Sequence, residues 1–147
     1  MTLTRANTEF LTIAKVAPLM AAAGMDSTTV DGTNVNLNGP IGKAVRLLGH
    51  TVTSAILVAD ADVAQVTDAE TDEFLDTTEL FTLEGILGNF SKTEIRVDSM
   101  TTKFQQLVEQ VERKIKRLSA QLERDYGYGL PTLEAGYIQL DFAEHGT

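Results

Sequence analysis

Apolar side chains recur at Phe104, Val108, Val111, Ile115, Leu118 and Leu122, at intervals of four, three, four, three and four residues. That rhythm is a heptad seam held for almost three repeats, and it predicts one long helix over Ser99–Tyr126. Leu107 widens the stripe near its start. The opposite face is charged and amide-rich, with Gln105, Gln106, Glu109, Glu112, Arg113, Lys116, Arg117, Gln121 and Glu123. Glu109–Arg113 and Glu112–Lys116 stand four apart with the acid first, the orientation that supports a helix. Gly127 is a natural stop, and Pro131 prevents continuation. At ~1.5 Å per residue such a helix is roughly 40 Å long. It needs a partner along its length, either the chain's own helices or, as a coiled coil, a second copy.

The rest of the pattern is built around that element. Thr2–Ala23 reads as a first helix with a stripe of Phe10, Ile13, Ala14, Ala17, Met20 and Ala21. Pro18 predicts a kink or break near Ala17, and Gly24 ends the helix. The small residues Ala21–Ala23 suit close approach to another backbone. Asp26–Asn38 is polar and turn-rich. Asp31-Gly32 with alternating Val35 and Leu37 reads as a small hairpin or an irregular loop. Gly39-Pro40 opens a second helix that buries Ile41, Ala44, Val45 and Leu48 and stops at Gly49.

Thr51–Val58 is β-branched and apolar, which suits a buried extended segment. Asp60 caps a short turn that buries Val63 and Val66. Thr67–Gly88 is the next helix, acidic in its first turns and apolar at Phe74, Leu75, Leu80, Leu83, Ile86 and Leu87. Gly85 inside it costs about 1 kcal/mol against Ala unless a neighbouring helix crosses close there, and Gly88-Asn89 ends it. Lys92–Asp98 alternates at Ile95 and Val97, which predicts a short strand, and Asp98 or Ser99 caps the long helix. Beyond Gly127, Gly129 and Pro131 form a hinge. Tyr137–Phe142 is then a strand with Ile138, Leu140 and Phe142 on one face and Tyr137, Gln139 and Asp141 on the other.

The fold class expected is mainly α. A helical bundle over residues 1–127 is built on one long C-terminal helix, with short β segments and an extended tail over 128–147.

Composition narrows the chemistry. The chain has 147 residues, enough for a single domain with a real core. It has no Cys, which removes disulfides, thiolate metal sites and thiol nucleophiles. Its formal charge of -9 argues against a global grip on nucleic acid. Arg113, Lys114, Lys116 and Arg117 form its one dense basic cluster, diluted by Glu109, Glu112 and Glu123. No signal peptide or membrane span is expected, because Arg5, Glu9 and Lys15 interrupt the first apolar stretch.

Catalytic constellations are not expected either. His50 and His145 lack metal-ligand spacing. The acidic run of Asp60, Asp62, Asp68, Glu70, Asp72 and Glu73 fails as a calcium loop, since Gln65 stands at its sixth position and Thr71 at its twelfth. No phosphate-binding glycine loop or nucleophile elbow is present. No catalytic residue, metal or cofactor is expected. The strongest functional candidate is the tail strand, which either pairs within its own fold or adds to a sheet on a neighbouring protein through Tyr137, Ile138, Leu140 and Phe142.

Several features run in a suggestive order over the second half of the chain. An acidic-capped helix carries Glu73-Phe74-Leu75-Asp76 and closes on Leu83-Glu84-Gly85-Ile86-Leu87-Gly88-Asn89. The short strand with Ile95 and Val97 follows. The long helix then carries Gln106-Leu107, Val111-Glu112 and Ile115-Lys116-Arg117-Leu118, and ends at Arg124-Asp125-Tyr126-Gly127. This order of helix, short strand, long helix and extended tail resembles the head–tail adaptor (connector) proteins of tailed bacteriophages.

The resemblance implies a non-enzymatic virion protein at the neck, made in the host cytoplasm. It implies a dodecameric ring beneath the portal that joins it to the tail, with an extended segment gripping the portal. DNA would then pass through the channel without specific binding. The Asp26–Asn38 stretch matches nothing in that pattern. The alternatives are another neck or tail-completion protein in a six-fold ring, and a small helical regulatory or binding module that dimerises through the seam. An enzyme is the weakest reading.

Overall fold

The computed structural model describes residues 2–54, 56–94 and 101–127, with the backbone alone at 91–94 and 101–104. The protein is mainly helical, with five α-helices among the described residues. These are α1 (Arg5–Ala22), α2 (Val35–Leu47), the single turn α3 (Asp60–Val63), α4 (Thr71–Glu94) and α5 (Thr101–Tyr126). A short 3-10 turn, Asp68–Glu70, leads into α4. No strand occurs among the described residues. The predicted strands at Lys92–Asp98 (beyond its first three residues) and Tyr137–Phe142, and the hinge at Gly129 and Pro131, lie outside them.

The centre of the bundle is α4, against which α1, α2 and α5 all pack. Its 24 residues bury Phe74, Leu80, Leu83, Ile86 and Phe90 together with Thr77, Thr78 and Thr82. A helix buried on several sides needs small side chains where neighbours crowd it, and threonine meets that need if its hydroxyl is satisfied. Each hydroxyl here bonds back along the helix. Thr78 donates to the Phe74 carbonyl at 2.8 Å and Thr82 to the Thr78 carbonyl at 2.7 Å. The architecture therefore rests on two long helices, α4 and the 26-residue α5, and the expectation of one organising helix is corrected.

Five further expectations change. The stripe proposed for α1 is partly wrong: Ile13, Val16, Leu19 and Met20 are buried with Thr8 and Thr12, while Phe10 is 59% exposed and Ala14 and Ala21 face solvent. Pro18 does not break α1. The carbonyl it leaves without an intrahelical partner belongs to Ala14, an exposed position.

The second helix begins at Val35, four residues before Gly39, because the Asn34 side chain caps it by accepting the Asn36 N–H at 3.0 Å. That excludes a hairpin over Asp26–Asn38. The segment is instead a loop pinned by carboxylate turns: Asp26 accepts from the Thr28 and Thr29 N–H groups, and Asp31 from Thr33. Thr51–Val58 is not a buried extended segment, since Ile56 is 88% exposed and, of its described residues, only Val58 is buried. Finally, α4 does not stop at Gly88-Asn89 but runs on to Glu94, through the start of the strand expected at Lys92.

At Gly85 no helix crossing offsets the cost of the glycine. It is exposed, and a Cβ there would meet nothing within 4 Å, so no neighbouring helix crosses close to it. Gly85→Ala is therefore expected to raise stability by about 0.5–1 kcal/mol in urea unfolding, since alanine lowers the entropy of the unfolded chain without strain. Thr12→Val is expected to raise it as well, by about 1 kcal/mol, because the Thr12 hydroxyl is buried without a hydrogen-bond partner. Leu83→Ala, at a fully buried position, should cost about 2–5 kcal/mol in the same assay.

Candidate functional site

Arg5 and Glu9 lie one turn apart on α1 and are 1% and 0% exposed. The Arg5 Nε donates to Glu9 Oε2 at 3.0 Å. Its two terminal nitrogens reach Asn38 Oδ1 at 2.7 Å, the Val58 carbonyl at 3.0 Å and the Asn34 carbonyl at 2.6 Å. Glu9 accepts the Gly32 N–H at 2.7 Å through Oε1 and the Asn34 N–H at 2.9 Å through Oε2. Asn38 Oδ1 also accepts the Val58 N–H at 2.7 Å. The pair is thus a clasp that ties the 26–34 loop and the 52–59 segment to α1.

Asp62 extends this polar frame, accepting the Ala59 N–H at 3.0 Å and the Thr53 N–H at 3.2 Å. Those bonds hold its carboxyl below the ordinary carboxylate range, the Ala59 bond most strongly. The hydrogen bonds named here all link groups of the fold to one another. The clasp is structural.

His50, just past α2, pairs through Nε2 with Glu70 Oε1 at 2.9 Å. Glu70 also accepts the Thr67 N–H at 3.0 Å, the main cause of its lowered pKa. This pair joins the end of α2 to the entry of α4. Among the described residues no cluster of His, Asp and Glu is arranged to hold a metal ion.

Among the described residues, α1, α4 and α5 meet at an open cleft lined by Lys15, Asp76, Glu79, Lys114, Arg117, Leu118 and Gln121. Lys15 lies 3.9 Å from Asp76 and 3.5 Å from Glu79. The Tyr126 hydroxyl donates to Asp76 Oδ2 at 3.5 Å, so the last turn of α5 stands against the early part of α4 and the two helices run antiparallel. Burial raises the Asp76 carboxyl above its ordinary value, and the Lys15 charge opposes that rise. Burial likewise raises the Tyr126 phenol.

The seam residues Val111, Ile115, Leu118 and Leu122 are buried within the chain's own core, and Val108 is partly buried there. The side chain of Phe104 lies outside the described residues, as do the tail candidates Tyr137, Ile138, Leu140 and Phe142 and the histidine His145. On the outer face of α5, Arg113 Nε donates to the Glu109 carbonyl at 3.4 Å and not to its carboxylate. The sequence reading missed the clasp and the cleft. The four-residue spacing of Arg5 and Glu9 was a signal for the first, but nothing local distinguishes it from a solvated pair. For the cleft there was no signal, since its residues come from three separate helices.

Among the described residues the geometry offers exposed apolar surface. Large apolar side chains reach solvent at Phe10, Val35 and Ile56, with 59%, 75% and 88% exposure. No helix among the described residues is long and apolar enough to cross a membrane. No protein-family model, curated protein or solved structure matches the chain.

Two outcomes test the clasp. Arg5→Ala is expected to cost about 3–5 kcal/mol in denaturant unfolding, because it strands a buried carboxylate. Arg5→Met with Glu9→Leu should recover little of that loss, because the Gly32 and Asn34 N–H groups and the Val58 carbonyl would lose their partners. In acid, Asp62 contributes stability that is present above the unfolded carboxylate value of about 4 and fades as pH falls through its lower folded value. Asp62→Asn should therefore flatten the pH dependence of the melting temperature in that window.

Proposed function

We propose that this chain is a structural assembly protein of the head–tail adaptor kind. In that role it forms a ring that joins a phage portal to the neck or tail. The observation that carries the reading is the division of labour at Gly127. Up to that residue the apolar seam of α5 is consumed by the chain's own core, and the helix's outer face is polar. Beyond it the sequence continues for 20 residues with the alternating apolar pattern of Tyr137–Phe142. A folded body with a strand-like extension suits strand addition to a neighbouring protein.

The burial of Val111, Ile115 and Leu122 also weighs against the dimer-module alternative, because a seam packed inside its own bundle offers no face to a second copy. The formal charge of -9 suits a channel wall along which DNA slides without sticking. The portal, the tail or neck proteins and further copies of the chain are the partners this reading requires.

Native mass spectrometry of the purified protein with a candidate portal ring tests it. The adaptor reading predicts binding in equal stoichiometry with the portal subunits, lost on deletion of Gly136–Thr147. A tight dimer indifferent to both the portal and the deletion would overturn it.

A further inference from the structure

The cleft between α1, α4 and α5 holds more positive charge than its own carboxylates engage. Asp76 and Glu79 both face Lys15. Across the cleft, Lys114 and Arg117 of α5 line the other wall and form no ion pair among the described residues. Leu118, 8% exposed, lies between the charged walls. Leu11, 39% exposed, continues an apolar edge one helical turn before Lys15.

The chain leaves its body beside this cleft. Tyr126, the last residue of α5, touches Asp76 in the cleft wall, and Gly127 takes φ +75°, the left-handed stop that turns a chain off its helix axis. The segment that follows, 128–147, carries Glu134, Asp141 and Glu144 and no Lys or Arg. It also carries apolar residues at Leu133, Ile138 and Leu140. Arg117 lies about 15 Å back along the helix from Gly127. An extended chain covers that distance in about five residues at ~3.3 Å each, so Glu134 is well placed to reach it. A tether this short gives an effective concentration on the order of millimolar, enough to populate a contact that would be weak between separate molecules.

We infer that the cleft formed by Lys15, Lys114, Arg117 and Leu118 is a docking site for the protein's own C-terminal segment, with Glu134 against Lys114 and Arg117. The inference goes beyond the assembly role and does not depend on the portal. If the assembly reading also holds, the segment has a resting place on its own body, and a partner must displace it there.

The absence of cysteine makes the test direct. A nitroxide on Ala135→Cys in isotope-labelled full-length protein should cause a several-fold loss of amide signal at Lys15 and over residues 114–121, unchanged on dilution. Lys114→Glu with Arg117→Glu should abolish that loss, and adding Glu134→Lys with Asp141→Lys should restore it. Both cationic positions retain solvent contact, so the variants are expected to fold, and their amide spectra report whether they do. No signal loss in the parent protein would overturn the inference. So would a loss that survives the double charge reversal, or one that grows with protein concentration and thereby marks a second copy as the occupant. None of these readouts involves the portal, so the assembly reading can fail without affecting this one.

Discussion

The buried pair of Arg5 and Glu9 is the constraint on which the N-terminal half of the structure depends. A charge taken into a protein interior is tolerated only when its hydrogen-bonding groups are met, and both partners here satisfy backbone groups of segments far away in sequence. Through Arg5 the carbonyls of Asn34 and Val58 find donors, and through Glu9 the N–H groups of Gly32 and Asn34 find an acceptor. Loops that carry exposed apolar side chains such as Val30 and Ile56 gain a fixed conformation in this way. An apolar pair of the same volume has no means to orient two loops.

The second half depends on α4. Helices usually present one apolar stripe and one polar face, but α4 has neighbours on several sides and no strong amphipathic division. Its threonines resolve the conflict by bonding to their own helix, which lets α1, α2 and α5 approach without leaving those three hydroxyls unpaired. By contrast α5 is sharply amphipathic, with its seam against α4 and its polar flank outward. Among the described residues, open surface is found at the cleft, at the exposed residues of α1, and at Val35 and Ile56.

Much of the helical content was legible from periodicity alone. The seam of α5, the buried Ile13 and Met20 of α1, and the face of α2 at Ile41, Ala44 and Val45 follow from spacing near 3.6 residues, and spacing is a local property of the chain. Termini were less legible. Asn34 begins α2 because its side chain caps the helix, and Pro40 is tolerated inside it, although Gly39-Pro40 is locally the stronger start signal. Gly85 and Gly88 resemble stops, yet α4 passes through both because its packing against three helices outweighs the roughly 1 kcal/mol that each glycine costs.

What the sequence by itself determined is therefore a mainly helical chain without cysteine, net acidic, with one strong heptad seam. Only the tertiary structure decided that α4 is the centre, that Phe10 faces water while Thr8 and Thr12 are buried, and that Arg5 and Glu9 lie in the interior. It also brought Lys15, Asp76, Lys114 and Arg117 into one cleft. The physical reason is range. Periodicity and caps are set by residues within about a turn of each other, whereas burial of a charge and convergence of side chains from three helices are set by partners up to a hundred positions away.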